Sequence, residues 1–267
     1  MRYNPDVLFR STAPYYARYR SGYPPELFQH LGTRFSLDGT QQALDLGCGT
    51  GQIALPLAAY VGRVLAIDPE SGMLTEGQRL AEDRDIDNID WIVGDSYRLS
   101  ELDLPDLTLV TIGAAFHWMD RSTVLQDLDR LVLPTGAVVI TSGGMLETQT
   151  PPPWNDIITA IRTKYLGPAR RAGSTTYSHP AEGHTDVLRR SPFSHVQTVE
   201  WNWTLERDLD SLIGLQFSYS FSAPAQFDSG EQRAAFERDL RDALTEQFPS
   251  RTFPESVHTE ALIATRL

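Results

Sequence analysis

Three glycines at alternate positions, Gly47, Gly49 and Gly51, follow an apolar run in the stretch ALDLGCGTG (43–51). A short apolar strand running straight into a glycine-rich turn constrains this chain more than any other feature. Alternate glycines let the backbone approach a ligand closely and turn sharply into a helix, and a helix N-terminus there favours a negatively charged group. The spacing is G-x-G-x-G, with Gln52 where the last glycine of a G-x-G-x-x-G dinucleotide fingerprint would stand. The turn therefore predicts a nucleotide-like ligand without a pyrophosphate.

From residue 42 to 142 strands and helices alternate. QALDL, RVLAID, IDWIVGD, LTLVTIG and GAVVITSG read as five strands. A helix carrying Ile53, Leu57, Ala58 and Val61 is expected after the glycines, with Pro56 inside it. SGMLTEGQRLAED and STVLQDLDRLVL supply two more helices. Apolar strands alternating with helices predict a parallel sheet covered on both faces, with ligands at the carboxyl ends of the strands. The first 40 residues read as helical and aromatic. Ser11 or Thr12 would cap a helix with Pro14 in its first turn, and Leu27, Phe28, Leu31 and Phe35 fall at helical spacing in a second. After residue 143 the rhythm breaks. NDIITAIRTKYL, LDSLIGLQFSYSF and 229–247 read as helices, VQTVEWNWTLE alternates with Val199, Trp201, Trp203 and Leu205 on one face, and VHTEALIATRL ends the pattern as a strand. One domain over 1–267 is expected: a helical lid at 1–40, a core at 42–142, and insertions at 143–195 and 207–250 that cap the sheet.

Three polar features fall in order at successive strand ends: the glycine turn with Asp45 before it, Asp68 closing RVLAID, and Asp95 in VGDSYRL. A carboxylate at the second place can accept from both ribose hydroxyls, and one at the third can accept from an adenine amino group. Singly, each is as readily a helix cap or a solvated loop residue. Together, in this order, they point to an adenosine.

At these residues the chain strongly resembles the class I S-adenosylmethionine-dependent methyltransferases, whose glycine motif matches LDLGCGTG. The resemblance implies a Rossmann-like α/β three-layer sandwich with a seven-stranded, mostly parallel sheet, its last strand antiparallel, and a helical cap over the strand C-termini. It implies S-adenosyl-L-methionine as cofactor, with S-adenosyl-L-homocysteine as product. Asp45, Gly47, Gly49, Gly51 and Gly113 would line the cofactor, Asp68 would bind its ribose, and Asp95, Ser96 and Met73 (in DPESGML, similar to the family's DxSxxML) its adenine. APYYARYRSGYPPELFQHL and AAFHWMD resemble the trans-aconitate methyltransferase-like, or type 11, small-molecule group. By that likeness Arg20 would pair with the methionine carboxylate; Ser21 stands where the group usually has Pro. FSYSF (217–221) is similar to that group's substrate-pocket helix, which makes Tyr219, with Tyr16 and Phe116, a candidate for the substrate.

Methyl transfer from a sulfonium is an in-line displacement needing a nucleophile about 3–3.5 Å from the methyl carbon. Aromatic faces suit the cation. Tyr15, Tyr16, Tyr19, Phe116 and Trp118 are candidates, although Trp118 reads better as core. His117 is the histidine beside the expected site, either the general base or a side chain that only shapes the pocket.

Other chemistries fit poorly. His179 and His184 do not form an i, i+4 ligand pair, His117 and Asp120 are too sparse for a metal site, and no G-x-S-x-G elbow or P-loop lysine occurs. A nicotinamide-dependent oxidoreductase and a non-catalytic cofactor-binding protein are the alternatives. The formal charge of −12 argues against duplex nucleic acid, which is bound through Lys and Arg. The single cysteine, Cys48, fits a reducing cytosol, and neither signal peptide nor membrane span is read. A cytoplasmic enzyme of secondary metabolism or of a small carboxylic acid is the expectation, its oligomeric state open.

Overall fold

The computed structural model describes residues 9–144, 151–172, 175–176 and 180–267. His179 and the first half of the loop expected at ETQTPPPW lie outside them.

Five strands and their helices follow the expected order. They are β1 (Gln42–Leu46), α3 (Ala54–Leu57), β2 (Arg63–Asp68), α4 (Ser71–Glu82), β3 (Ile89–Val93), β4 (Leu107–Gly113), α5 (Arg121–Asp129) and β5 (Val132–Gly144). Two helices precede them, α1 (Ala13–Tyr19) and α2 (Pro25–Arg34), each with proline in its first turn, where the missing N–H costs nothing. After β5 come α6 (Asn155–Leu166), α7 (His184–Arg189), β6 (His195–Asp208), α8 (Leu209–Gln216), α9 (Gly230–Gln247) and β7 (Thr252–Thr265). A minor hairpin pairs Arg171–Ala172 with Thr175–Thr176.

The main sheet has seven strands in the order β3-β2-β1-β4-β5-β7-β6. β1 to β5 pair in parallel, while β7 runs antiparallel to both β5 and β6. One reversed strand in seven is the Rossmann-like topology that the sequence implied. The order reverses at β1, between β2 and β4, so the crevice above the C-terminal ends of those three strands is the ligand position of such a sheet.

Strand periodicity sorts the core into two layers. Val64, Ala66, Val139 and Ile263 face α2, α3 and α4 with Leu27, Leu31 and Leu57. Leu65, Ile67, Ile140 and Leu262 face α5 and α7 with Leu125, Leu128 and Leu188. A third cluster joins α6, α8 and α9 through Leu166, Leu212, Ile213, Phe236 and Leu240, with Phe253 of β7 at its base. α1 packs on both α4 and α8, so it bridges the sheet's ligand edge to this third cluster.

Two helical expectations are corrected. The helix after the glycines lasts one turn, Ala54–Leu57, because Pro56 has no N–H for the Gln52 carbonyl; the chain continues in tight turns through Tyr60, and Val61 lies beyond the helix. So short a helix offers no dipole for an anion. FSYSF is not helical throughout: α8 ends at Gln216, and a turn leads into a 3₁₀ segment, Ser220–Ser222.

Candidate active site

The glycine turn is held by its neighbours rather than by its helix. Gly47 and Cys48 donate their N–H groups to Ile67 O at 2.8 and 3.0 Å, which ties the turn to the end of β2. Gly47, Gly49 and Gly51 all have positive φ, at 73°, 56° and 86°, a region that glycine enters without strain. A Cβ on Gly47 would stand 2.6 Å from the Ala115 methyl, and one on Gly51 would stand 2.7 Å from the Trp91 ring.

Two carboxylates brace this turn from beneath. Asp45 is buried; its Oδ2 accepts from Ala54 N at 3.1 Å and its Oδ1 from Thr111 Oγ1 at 2.9 Å. Asp68 Oδ2 accepts from Gly49 N at 2.9 Å, and Oδ1 from Glu70 N at 2.9 Å. Burial pushes the Asp45 carboxyl up to about 7 and that of Asp68 up to about 6, against the lowering effect of these same hydrogen bonds. Each bonded oxygen keeps a second lone pair for another donor.

Above the turn lies a cleft in two compartments. The larger, about 830 Å³ to its mouth, has apolar walls from Leu46, Pro69 and Met73 and polar ones from Asp68, Asp95 and Ser96. Asp95 Oδ1 accepts from the N–H groups of Tyr97 and Arg98 at 2.9 and 3.1 Å, which fixes the carboxylate at the cleft rim. The smaller, about 530 Å³, is bounded by Arg20, Tyr23, Asp45, Gln52 and Ile53. Tyr16, Gly47, Gly113 and Ala114 line both. Ala114 sits at φ 49°, an uncommon conformation for a residue with a Cβ; it turns the chain after β4 back over the cleft.

Of the residues expected at the cofactor, the larger compartment gathers Gly47, Gly49, Asp68, Met73, Asp95, Ser96 and Gly113, with Tyr16 from the aromatic set. Arg20 and Asp45 stand in the smaller one. Arg20 is held there by Ser218, through Nε to Oγ at 2.9 Å, and lies over the rings of Tyr16 and Tyr219 at 4.9 and 4.2 Å.

Several expectations part from this geometry. Gly51 lines neither compartment; its Cα faces Trp91 and Leu55, so its service is to packing. Phe116 is a core residue, 1% exposed among the side chains under the sheet. Trp118, which reads as core, is instead a wall of the larger compartment, edge-on to Phe9 at 6.2 Å. The reason is the 3₁₀ turn Phe116–Trp118, which sends alternate rings in opposite directions. Tyr219 is no wall of either compartment; it stacks on Phe221 at 5.1 Å and supports Arg20. His117 is half-buried, 4.6 Å from the Trp118 ring, and outside both sets of walls. The sequence reading missed Phe9, Glu70, Tyr97, Met119, Tyr23 and Gln52. Only Glu70 and Tyr97 carried a signal, as neighbours of Asp68 and Asp95.

Most residues that line this cleft fall in the stretch that known proteins match. Residues 43–136 match the methyltransferase domain family. The chain is 27% identical over 147 residues to a Dictyostelium discoideum protein named as a methyltransferase, covering 53% of this chain and 51% of that one. It is also 27% identical over 220 residues to an uncharacterized methyltransferase of Mycobacterium tuberculosis, covering 82% and 79%. The chain thus spans about half the length of the first relative and most of the second. Residues 43–136 thus carry a methyltransferase domain. A solved structure of a candidate type II methyltransferase from Anaeromyxobacter dehalogenans shares the fold, with a TM-score of 0.59 at 20% identity over 92% of this chain and 97% of that one. The matched segment 43–136 contains the glycine turn, Asp68, Met73, Asp95 and Gly113. Arg20 and Tyr16 lie before it, on the bridging helix α1 and its C-terminal cap.

Proposed function

We propose that this methyltransferase transfers the methyl group of S-adenosyl-L-methionine to an oxygen or nitrogen nucleophile of a small molecule, a secondary metabolite or a small acid. The observation that carries the reading is the division of the cleft. One compartment has apolar walls flanked by carboxylates, which suits adenosine, and the other holds a cation, Arg20, which suits an amino-acid carboxylate. In this reading Asp68 accepts from the ribose hydroxyls, Met73 packs on the adenine with Asp95 and Ser96 at its edge, and Arg20 pairs with the carboxylate. When bound, the cofactor supplies a methyl group on a sulfonium.

Tyr16 stands where the two compartments meet, and burial raises its phenol's pKa above the usual range. The phenol therefore stays protonated at neutral pH and can donate but not serve as a base. Trp118 and Phe9 give the larger compartment its aromatic side and keep water from a cationic ligand. Of the two roles open to His117, holding the Trp118 wall fits its packing best. His117→Asn should then raise the dissociation constant for S-adenosylhomocysteine and leave the pH–rate profile unchanged; loss of a limb near the ordinary imidazole pKa of ~6.5 would make it the base instead.

A small acceptor is favoured because α1 packs on both α4 and α8 beside the cleft, and because the charge of −12 repels nucleic acid. Among the described residues no helix is long and apolar enough to cross a membrane; a cytoplasmic setting remains part of the proposal. Incubation with tritiated-methyl S-adenosylmethionine and pools of small metabolites tests the reading. Label in a low-molecular-weight product supports it, whereas label only in protein or nucleic acid contradicts it.

A further inference from the structure

Beyond the cleft, α6 carries a charge with no counter-charge among the described residues. Arg162 is 8% exposed, yet among those residues its one hydrogen bond runs from Nη1 to Gly167 O at 3.3 Å, across the end of its own helix. Arg170 approaches from the exposed stretch after α6. The two guanidinium carbons lie 5.7 and 5.3 Å from the centre of one ring, Phe221. Among the described residues neither arginine pairs with a carboxylate. Burial, and then the charge of Arg170, push the Arg162 guanidinium below its usual range. Two like charges around one ring, one of them buried, are unfavourable unless something negative joins them. Among the described residues the Arg162 fork has one of its five donors engaged.

We propose that Arg162 and Arg170, meeting at Phe221, form a binding site for a compact oxyanion, a carboxylate or phosphate, and that this group anchors the methyl acceptor. The planar fork of arginine is matched to such groups, and Arg170 stands at the solvent side where a ligand would enter. The second half of the statement rests on the proposed methyl transfer.

A chain of contacts leads from the site toward the cleft. Phe221 stacks on Tyr219 with an interplanar angle of 9°, and Arg20 lies over the Tyr219 ring at 4.2 Å. Arg162 and Arg170 line neither compartment of the cleft. The anchoring oxyanion is therefore a different group from the nucleophile that is methylated. The acceptor has an acidic end and a reactive end, and its product keeps the acidic one.

Calorimetric titration of the full chain with inorganic phosphate and with succinate, at ionic strength held constant with chloride, tests the site. The expected result is one saturable site, weakened at least tenfold in Arg162→Gln and in Arg170→Gln. Arg170 is exposed, so its variant retains the fold and carries the test if Arg162→Gln does not. S-adenosylhomocysteine affinity, measured on the same Arg170→Gln sample, is expected to match the parent, so failure of the donor cleft and failure of this site read separately. No saturable uptake of either anion, or equal uptake by Arg170→Gln, would overturn the site. In the tritiated-methyl screen, labelled product should be retained by an anion exchanger. A neutral labelled product would overturn the anchoring role.

Discussion

Asp68 shows how one residue can serve the fold and the ligand at once. Its carboxylate joins β2 to the glycine turn through Gly49 and to the start of α4 through Glu70. Burial holds its pKa near 6. Ribose hydroxyls need the ionised form as an acceptor, so affinity for S-adenosylhomocysteine should fall as pH drops through about 6. Asp68→Asn should weaken binding by about 10–100-fold, the worth of roughly 1.5–3 kcal/mol for hydrogen bonds to a charged group, and flatten that pH dependence. Titration calorimetry at pH 5 and pH 8 measures both. The effect on folding has the opposite sign. Asp45 and Asp68 hold protons in the native state at pH values where the unfolded chain has released them, so their contribution to stability declines as pH rises from about 4 to about 7. The midpoint of denaturation of the ligand-free protein should show that decline, reduced in Asp45→Asn.

Phe116 and Trp118 make a second contrast at this scale. Phe116→Ala should cost about 3–5 kcal/mol of stability, as a buried aromatic does. Trp118→Ala should cost less stability and more cofactor affinity. Urea denaturation and ligand titration of the two variants separate the roles, and equal losses in both assays would contradict the assignment. From the sequence the two rings read in each other's places, because two aromatics in one 3₁₀ turn differ only in which side the turn shows to the sheet.

At the scale of elements, α1 is the part through which the outer helices can act on the cleft. Its C-terminus is held by Arg207, 3% exposed, which donates to Tyr19 O at 2.8 Å and pairs with Glu255 at 2.5 Å. Its ring face meets α8 at Gly214, where a Cβ would stand 2.2 Å from the Tyr19 ring. Gly214→Ala should thus push α1 off α8 and raise the dissociation constant for S-adenosylhomocysteine severalfold, although Gly214 lines neither compartment. Unchanged affinity in a folded variant would show that α1 is not coupled in this way. Arg207→Met should cost about 1–3 kcal/mol by removing the guanidinium's bonds to Tyr19 O and to the part-exposed Glu255, read from chemical denaturation. The core elements were legible because strands repeat every second residue, and five apolar runs separated by helices admit few arrangements. The outer helices were legible one by one, as α6 and α9 show, but not their assembly: the contacts of Phe236, Phe217 and Phe253 join segments far apart in the chain.

At the scale of the whole molecule, the sheet order places β1, β2 and β4 side by side, and each contributes a loop to one crevice. The Gly47, Asp68 and Asp95 loops converge because strands one to three are consecutive and parallel, which is why three modest motifs became one site. Arg20 and Tyr16 reach that site from outside the sheet; family likeness suggested Arg20, and the fit of an aromatic face to a cation suggested Tyr16. The acid-rich composition, with 35 Asp and Glu against 23 Lys and Arg, makes the arginines of the cap stand out as local exceptions.

This cleft is shaped for S-adenosylmethionine rather than a dinucleotide. Thermal denaturation with S-adenosylhomocysteine and, separately, with NAD tests it most directly. A ligand at about 100 times its dissociation constant adds roughly 2.7 kcal/mol to the native state. The melting temperature should rise clearly with S-adenosylhomocysteine and stay unchanged with NAD. A rise with NAD and none with S-adenosylhomocysteine would contradict it.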